Sequence, residues 1–344
     1  MNEKSVALSV VIPTLGTCSH LRGLLERLQR QQLSATRSYH QKIEVLVIAN
    51  LPKQDLRSLV GSMNRSSRVK FEYLETGKLG VNLARNKGIE RTKGEVVLFL
   101  DDDAILDDLE GAGEQFLDRH LQKHIKYPEA AAIGGPYRLV GRHSIWDEAY
   151  HFVAADWLDQ HVRDGHVTTQ LLGGNLSIKR SIFDKGFKFD EAIFYGGAET
   201  GFCQRLTLAQ EKLMFFPDLA IGHAPDLSKR TFCKKAYLQG AGAKWRSLNL
   251  LATSHIHVNQ LQKKSPKRNI ANEVRLYRDC FEFGWTNNPF RDQLAFNSRV
   301  QFSFWRLQLH KTSRFLFQSL PQTLRTQSRL LYATTRSIWI SAKH

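Results

Sequence analysis

Residues 94–106, GEVVLFLDDDAIL, constrain this chain more than any other segment. Five apolar residues in a row, Val96–Leu100, read as a strand buried on both faces, because the run is continuous rather than alternating. Three aspartates follow at its carboxyl end: Asp101, Asp102 and Asp103. Adjacent carboxylates repel, so such a tip needs a cation, hydrogen-bond donors or open water. Alternate residues of an extended chain share a face, which groups Asp101 with Asp103 and sends Asp102 elsewhere. Mg²⁺ and Mn²⁺ prefer oxygen ligands and are held by one or two carboxylates plus substrate phosphates. A solvated acidic loop is the plainer alternative.

The same apolar pattern recurs upstream. Residues 5–12 read as a strand, closed by a turn at 13–16. Residues 20–32 read as an amphipathic helix with Leu21, Leu24, Leu25 and Leu28 at helical spacing. A buried strand is expected at 43–49, a helix at 54–63, a strand at 69–73 and a helix at 81–91 that Gly94 ends. Farther on, AAIGGPY (131–137) and LLGGNLSIKR (171–180) each pair a short strand with a glycine turn, and FYGGAETGFCQRL (194–206) is a glycine-rich loop leading into a helix. Another strand is expected at 212–217, followed closely by His223, and strand signals vanish past about 225. The expected division is an α/β domain over 1–225 and a basic, mainly helical region over 226–344. Such alternation argues for a mainly parallel sheet with helices on both faces, and ligands bind beyond the carboxyl ends of its strands.

Charge divides the chain in the same way. Residues 221–344 hold 21 Lys+Arg against 5 Asp+Glu, whereas 1–220 balance at 28 of each. The tail interleaves Phe302, Trp305 and Leu309 with Arg306, Lys311 and Arg314. That is the make-up of a basic amphipathic helix lying on an anionic membrane, or of an extension packed on the first domain. No stretch reaches the roughly 18 to 20 apolar residues that span a bilayer. VALSVVIP reads as a core strand rather than a signal peptide. Cys18, Cys203, Cys233 and Cys280 show no CxxC spacing and read as reduced thiols. The expected location is cytoplasmic, peripheral on the inner face of the cell membrane if the tail docks there. A pI of 9.8 suits a nucleic-acid binder, yet no RRM, zinc-finger or clear helix-turn-helix pattern is present, so no specific nucleic acid is expected.

Taken in order, Val11-Ile12-Pro13-Thr14, Ala84-Arg85-Asn86-Lys87-Gly88 and Asp101-Asp102-Asp103 resemble the motifs of the large inverting glycosyltransferase family 2, over roughly residues 5 to 225. The resemblance implies the GT-A fold, a Rossmann-like α/β architecture, here with a C-terminal helical region added. It implies a nucleotide-diphosphate sugar donor, a glycan or lipid-linked acceptor, and Mn²⁺ or Mg²⁺. Pro13 and Thr14 would lie beside the nucleotide and Arg85 near its base or phosphates. Asp101 would sit close to the ribose, with Asp102 on the same nucleotide side. Asp103 would hold the metal, joined by His223. Gly174 and Asn175 resemble the family's glycine turn near the sugars, and Trp157, beside Asp156, falls on the acceptor side by position. Glu199 stands where the family carries its catalytic base.

Two positions depart from the pattern. The second strand ends Ile48-Ala49-Asn50, where the family often places an aspartate that recognises the base; an amide donates and accepts but carries no charge. Ala198 stands where a glutamate usually precedes the base. For Arg85 the plain alternative is a surface pairing with Glu90 or an aspartate, and for Glu199 a helix-capping residue. A catalytically silent GT-A-fold protein that binds glycans or nucleotides is the rival reading. A nucleotidyltransferase would need a basic glycine-rich triphosphate loop, which is not visible.

Overall fold

Four apolar runs fix the centre of the molecule. They form β1 (Val6–Thr14), β2 (Lys42–Asn50), β3 (Val69–Thr76) and β4 (Val96–Leu100), parallel and in the spatial order β3-β2-β1-β4. The computed structural model describes residues 6–17, 19–33, 42–52, 54–65, 69–106, 113–193, 197–249, 264–266 and 268–287. All of these lie within one compact unit, Met1–Ser298. Cys18 and the tail residues Phe302, Trp305, Arg306, Leu309, Lys311 and Arg314 fall outside the described residues.

Helices α1 (Leu21–Gln29), α2 (Arg57–Ser62) and α3 (Val81–Arg91) connect the four strands. Alternate strand residues feed two cores, which is why the runs are continuous. Val10, Ile12, Leu98 and Leu100 pack on one face with Leu24, Leu25 and Leu28 of α1 and Val60 of α2. Val11, Val97 and Phe99 pack on the other with Ala84 and Ile89 of α3. Each fully buried leucine contributes about 2 kcal/mol of transfer free energy, so Leu25→Ala would loosen α1 directly.

Strand β1 runs past the expected turn, through Pro13 and Thr14. Its pairing with β4 stops at Val11, so Pro13 has only β2 as a neighbour and its missing N–H costs little. Strand β3 likewise continues to Thr76, while α1 and α2 are shorter than the apolar spacing suggests.

The second half adds β5 (Ala104–Ile105), α4 (Phe116–Lys126), β6 (Ala130–Gly134), β7 (Tyr137–Leu139), α5 (Ile145–Asp159), β8 (Val167–Thr168), β9 (Asn175–Lys179), α6 (Arg180–Asp184), α7 (Thr200–Leu208), β10 (Lys212–Phe215) and β11 (Ile221–His223). The main sheet continues β4-β9-β6-β10-β8, with β9 antiparallel to both its neighbours. A small sheet, β5-β11-β7, carries the chain that follows β4. Helix α5 starts at a reciprocal cap: Asp147 N–H donates to Ser144 Oγ, and Ser144 N–H donates to Asp147 Oδ2 at 2.8 Å. Under the sheet, His120 and His124 of α4 each reach Ser177 Oγ at 2.9 Å. Burial pushes both imidazoles down to about 3.

Helices α8 (Lys229–Asn249) and α9 (Ala271–Asn287) follow and pack on each other and on α5. No described helix is long and apolar enough to cross a membrane.

Candidate functional site

A cavity of about 830 Å³ opens at the carboxyl edge of the parallel strands, walled on its far side by α8. Strand β4 stops at Leu100, and Asp101 to Asp103 form a turn into β5. The triplet is therefore displayed by a turn rather than by strand alternation. Pairing of His223 with Ala104, between β11 and β5, carries the imidazole to that turn. Asp101, Asp103 and His223 each offer one ligand atom, all within 4.8 Å of one another.

Charge is unevenly settled across the three aspartates. Burial opposes ionisation of Asp103, but the hydrogen bond and charge of His223, with Lys235 behind them, hold its carboxyl below the usual range. His223 Nε2 lies 3.2 Å from Asp103 Oδ2, and its ring stacks on Tyr137 at 4.6 Å. Asp103 Oδ1 is buried with no hydrogen-bond partner. Asp102 turns away, accepting from Thr14 Oγ1 at 2.5 Å. Burial, helped by the Asp103 and Asp101 charges, raises its carboxyl to about 7 despite that hydrogen bond. Two carboxylates, one of them with an orphaned buried oxygen, and an imidazole fit a divalent cation: Mn²⁺ accepts the mixed O/N set, and Mg²⁺ accepts it with waters.

Helix α3 delivers Arg85, only 3% exposed. Its Nη2 is 3.6 Å from Asp101 Oδ1 and its Nη1 is 3.9 Å from Glu199 Oε2, while Nε and Nη1 make no hydrogen bond. A buried guanidinium with idle donors is costly unless an anion completes it. Glu90 is engaged elsewhere, with Lys87 at 3.7 Å.

Glycine in the turn before β9 leaves room for the side chains of the site. A Cβ on Gly174 would stand 2.1 Å from Asp101 Oδ2 and 2.5 Å from Tyr137 Oη; one on Gly173 would stand 2.6 Å from Arg85 Nη2. The turn thus lets the acid and the guanidinium close on backbone. Tyr137 fixes the arrangement, donating to Asp101 Oδ2 at 3.2 Å and accepting from Gly174 N–H at 2.8 Å. Burial, then the Asp101 and Glu199 charges, push its hydroxyl well above the usual range.

Not every expected residue reaches the cavity. Pro13, Thr14, Asn50, Arg85, Trp157, Gly174 and Glu199 line it together with the three aspartates and His223. Asn175 does not: its Nδ2 donates to Leu219 O at 2.7 Å in the interior. Asp156 is likewise absent from the lining and accepts from Lys264 N–H at 2.9 Å. Glu199 occupies the N-cap position of α7 without a side-chain cap hydrogen bond, so its carboxylate is left to the cavity. Gly196, in the same loop, lies outside the described residues. Asn50 Oδ1 accepts from Thr76 Oγ1 at 3.0 Å and Gly80 N–H at 3.1 Å.

Among the lining residues that escaped the sequence reading are Tyr137, Lys235 and Arg246. Tyr137 closes AAIGGPY and was legible only as a strand end. Lys235 and Arg246 come from α8, where nothing but general basicity marked them. Arg246 is buried and donates to Gly197 O at 2.8 Å; burial lowers it to about 10, opposed by Glu199 and Asp190.

Known proteins resemble this chain in fold and in sequence. A mannosyltransferase from Pyrobaculum calidifontis, solved with GDP-Man and Mn²⁺, shares the fold at a TM-score of 0.51 and 14% identity, over 99% of this chain and 88% of its own. By sequence, 113 residues are 28% identical to the poly(ribitol-phosphate) β-N-acetylglucosaminyltransferase TarS of Staphylococcus aureus, 33% of this chain and 19% of that one. Another 97 are 29% identical to the GalNAc(5)-diNAcBac-PP-undecaprenol β-1,3-glucosyltransferase of Campylobacter jejuni, 28% of this chain and 29% of that one. The matched segments span less than half of these curated relatives' lengths. Residues 9–187, just over half of the chain, match Glycosyl transferase family 2, and they include most of β1, α3, the aspartate turn and the glycine turn. With the motifs in place on the fold that displays them, the chain belongs to glycosyl transferase family 2.

Proposed function

We propose that the chain moves a sugar, with inversion, from a nucleotide-diphosphate sugar to a hydroxyl of a glycan or lipid-linked acceptor. The observation that carries the proposal is Asp103: a half-buried carboxylate with one buried, orphaned oxygen, beside Asp101 and His223, at the strand edge of a large cavity. When bound there, a divalent cation would neutralise negative charge on the donor diphosphate. Arg85 would supply its idle donors to the nucleotide's phosphates or base, and Thr14 and Asn50 would border the nucleoside. Gly174 would allow close approach of the sugar, and Trp157 would give the acceptor an apolar wall.

The acceptor O–H attacks the anomeric carbon from the face opposite the diphosphate. A C–O bond forms, the anomeric C–O(phosphate) bond breaks, and the diphosphate leaves with the electron pair. Glu199 takes the acceptor's proton, and Arg85, whose Nη1 lies 3.9 Å from its carboxylate, helps position it. The names of the relatives favour a cell-envelope acceptor, such as a polyol phosphate or a diphospholipid-linked glycan. The basic tail past residue 287 would then hold the protein on the inner membrane face, with residues 1–225 as catalytic core and 226–344 as the basic helical addition.

The test is turnover on a donor and acceptor found by screening, with the product anomer read by NMR. An inverted product, and a loss of about 10²- to 10⁴-fold in Glu199→Gln, are expected. A retained configuration, or full turnover in Glu199→Gln, would remove the mechanism. Donor binding without transfer in the native chain would favour the silent, ligand-binding relative.

A further inference from the structure

We infer that Arg246 is a positioning residue for the transfer step: with its neighbour Trp245 it holds the backbone that presents Glu199, so that α8 governs how fast the sugar moves and not how tightly the donor is held. The inference rests on the reading of Glu199 as the general base.

Glu199 sits where a turn enters α7, and the two carbonyls just ahead of it are where that turn is fastened. Gly197 O accepts from Thr200 N–H at 3.2 Å and from Arg246 Nη1 at 2.8 Å, which uses both of its lone pairs. Ala198 O accepts from Asn82 Nδ2 at 3.1 Å, and the second hydrogen of that amide goes to Asp190 O at 2.7 Å. Behind Glu199, Cys203 N–H donates to its carbonyl at 2.9 Å. The residue is thus held by its own helix and by two buried side chains from elsewhere, Asn82 on α3 and Arg246 on α8.

Helix α8 grips the segment twice. Asp190, upstream of the turn, accepts from Trp245 Nε1 on Oδ2 at 3.1 Å and from Ala192 N–H on Oδ1 at 3.0 Å. Consecutive residues of one helix therefore reach both Asp190 and Gly197. Gly197 adopts a φ of +65°, and a Cβ on it would stand 2.8 Å from Arg246 Nη1; one on Gly201 would stand 3.1 Å from Arg246 Cδ. The two glycines let the arginine lie against the turn.

Arg246 is 5% exposed, and burying a guanidinium is costly where a methionine of similar reach would pack without that penalty. What offsets the cost is the backbone oxygen beside Glu199, together with the charges of Glu199 and Asp190. The donor reading puts the diphosphate at the aspartate turn and Arg85, whereas Arg246 bonds to the turn that carries Glu199. A reacting group displaced by about 1 Å can lose about a hundredfold in rate.

Full-chain Arg246→Met, Arg246→Lys and Glu199→Gln, compared with the native chain in steady-state transfer on the screened donor and acceptor, test this, with hydrogen exchange read on the same proteins. Arg246→Met should lower kcat about ten- to a hundredfold, with donor KM within about twofold of native. Arg246→Lys keeps an N–H donor and should recover part of that loss. Exchange of the Thr200 and Cys203 amides should quicken at least about tenfold in Arg246→Met, with those of β2 and β4 unchanged. Native turnover in Arg246→Met, a change in donor KM alone, or faster exchange across β2 and β4 as well overturns the inference and leaves the donor and Glu199 readings standing. Full turnover in Glu199→Gln removes the Glu199 reading, and this inference with it. No transfer by the native chain on any donor removes the proposed function itself.

Discussion

The cavity has two walls of opposite character. One is the edge of the parallel sheet, where strand ends and tight turns display Asp101, Asp102, Asp103, Asn50 and Thr14. The other is helix α8, which contributes Lys234, Lys235 and Arg246 from the basic part of the chain. Position on the sheet wall is set by strand register and by glycines with no room for a Cβ. Position on the helical wall is set by packing of α8 on α9 and α5, where Gly240 meets the Phe281 carbonyl and Gly284 that of Tyr237. A wall built from turns tolerates little substitution, whereas a wall of long cationic side chains should tolerate more.

The largest expected effect lies beneath the sheet wall, on α4, and leaves the helical wall of α8 untouched. His120 and His124 are held neutral, with folded pKa values near 3 against about 6.5 unfolded. The unfolded chain therefore binds more protons between those values, so stability falls as pH drops below about 6.5. Each histidine removes about 2 kcal/mol by pH 5. Histidine ring resonances should show both still neutral at pH 5 in the folded chain; titration of either near 6.5 would break the account. Next is Gly174→Ala, which should destabilise by about 1–3 kcal/mol in chemical denaturation and abolish Mn²⁺-dependent nucleotide binding.

On the helical wall, Lys235→Met should weaken nucleoside diphosphate binding only about fivefold, since Lys235 acts on Asp103 through space. A loss as large as that from Gly174→Ala would erase the distinction between the walls. The smallest change is Lys87→Ala, outside both, where an exposed 3.7 Å pair with Glu90 should cost under about 0.5 kcal/mol.

The same contrast explains what the sequence disclosed. Strands β1, β2 and β4 announce themselves because both faces are buried, and α3 follows from its motif and the glycine that ends it. The acidic triplet was legible as a site because a fold gains nothing from three adjoining carboxylates. How it is displayed was not legible: a turn looks the same as a strand end until β5 pairs with β11. Asn175 read as a site residue through its glycine neighbours, yet the two-residue period of β9 sends its side chain inward, onto the Leu219 carbonyl. Pro13 read as a turn because proline interrupts ladders, and only the early end of the β1–β4 pairing makes it tolerable. The helical wall was least legible, since Arg246 and Lys235 reach the cavity through tertiary packing that no local pattern encodes.

The central claim is that the turn after β4, with His223, holds a divalent cation in the donor cavity. Mn²⁺ paramagnetic resonance measures this directly, on the full chain and on Asp103→Ala, with each nucleoside diphosphate present. One bound Mn²⁺ per native chain, lost in Asp103→Ala while the fold is retained, is the predicted result. Equal uptake by both proteins, or none by either, would contradict it.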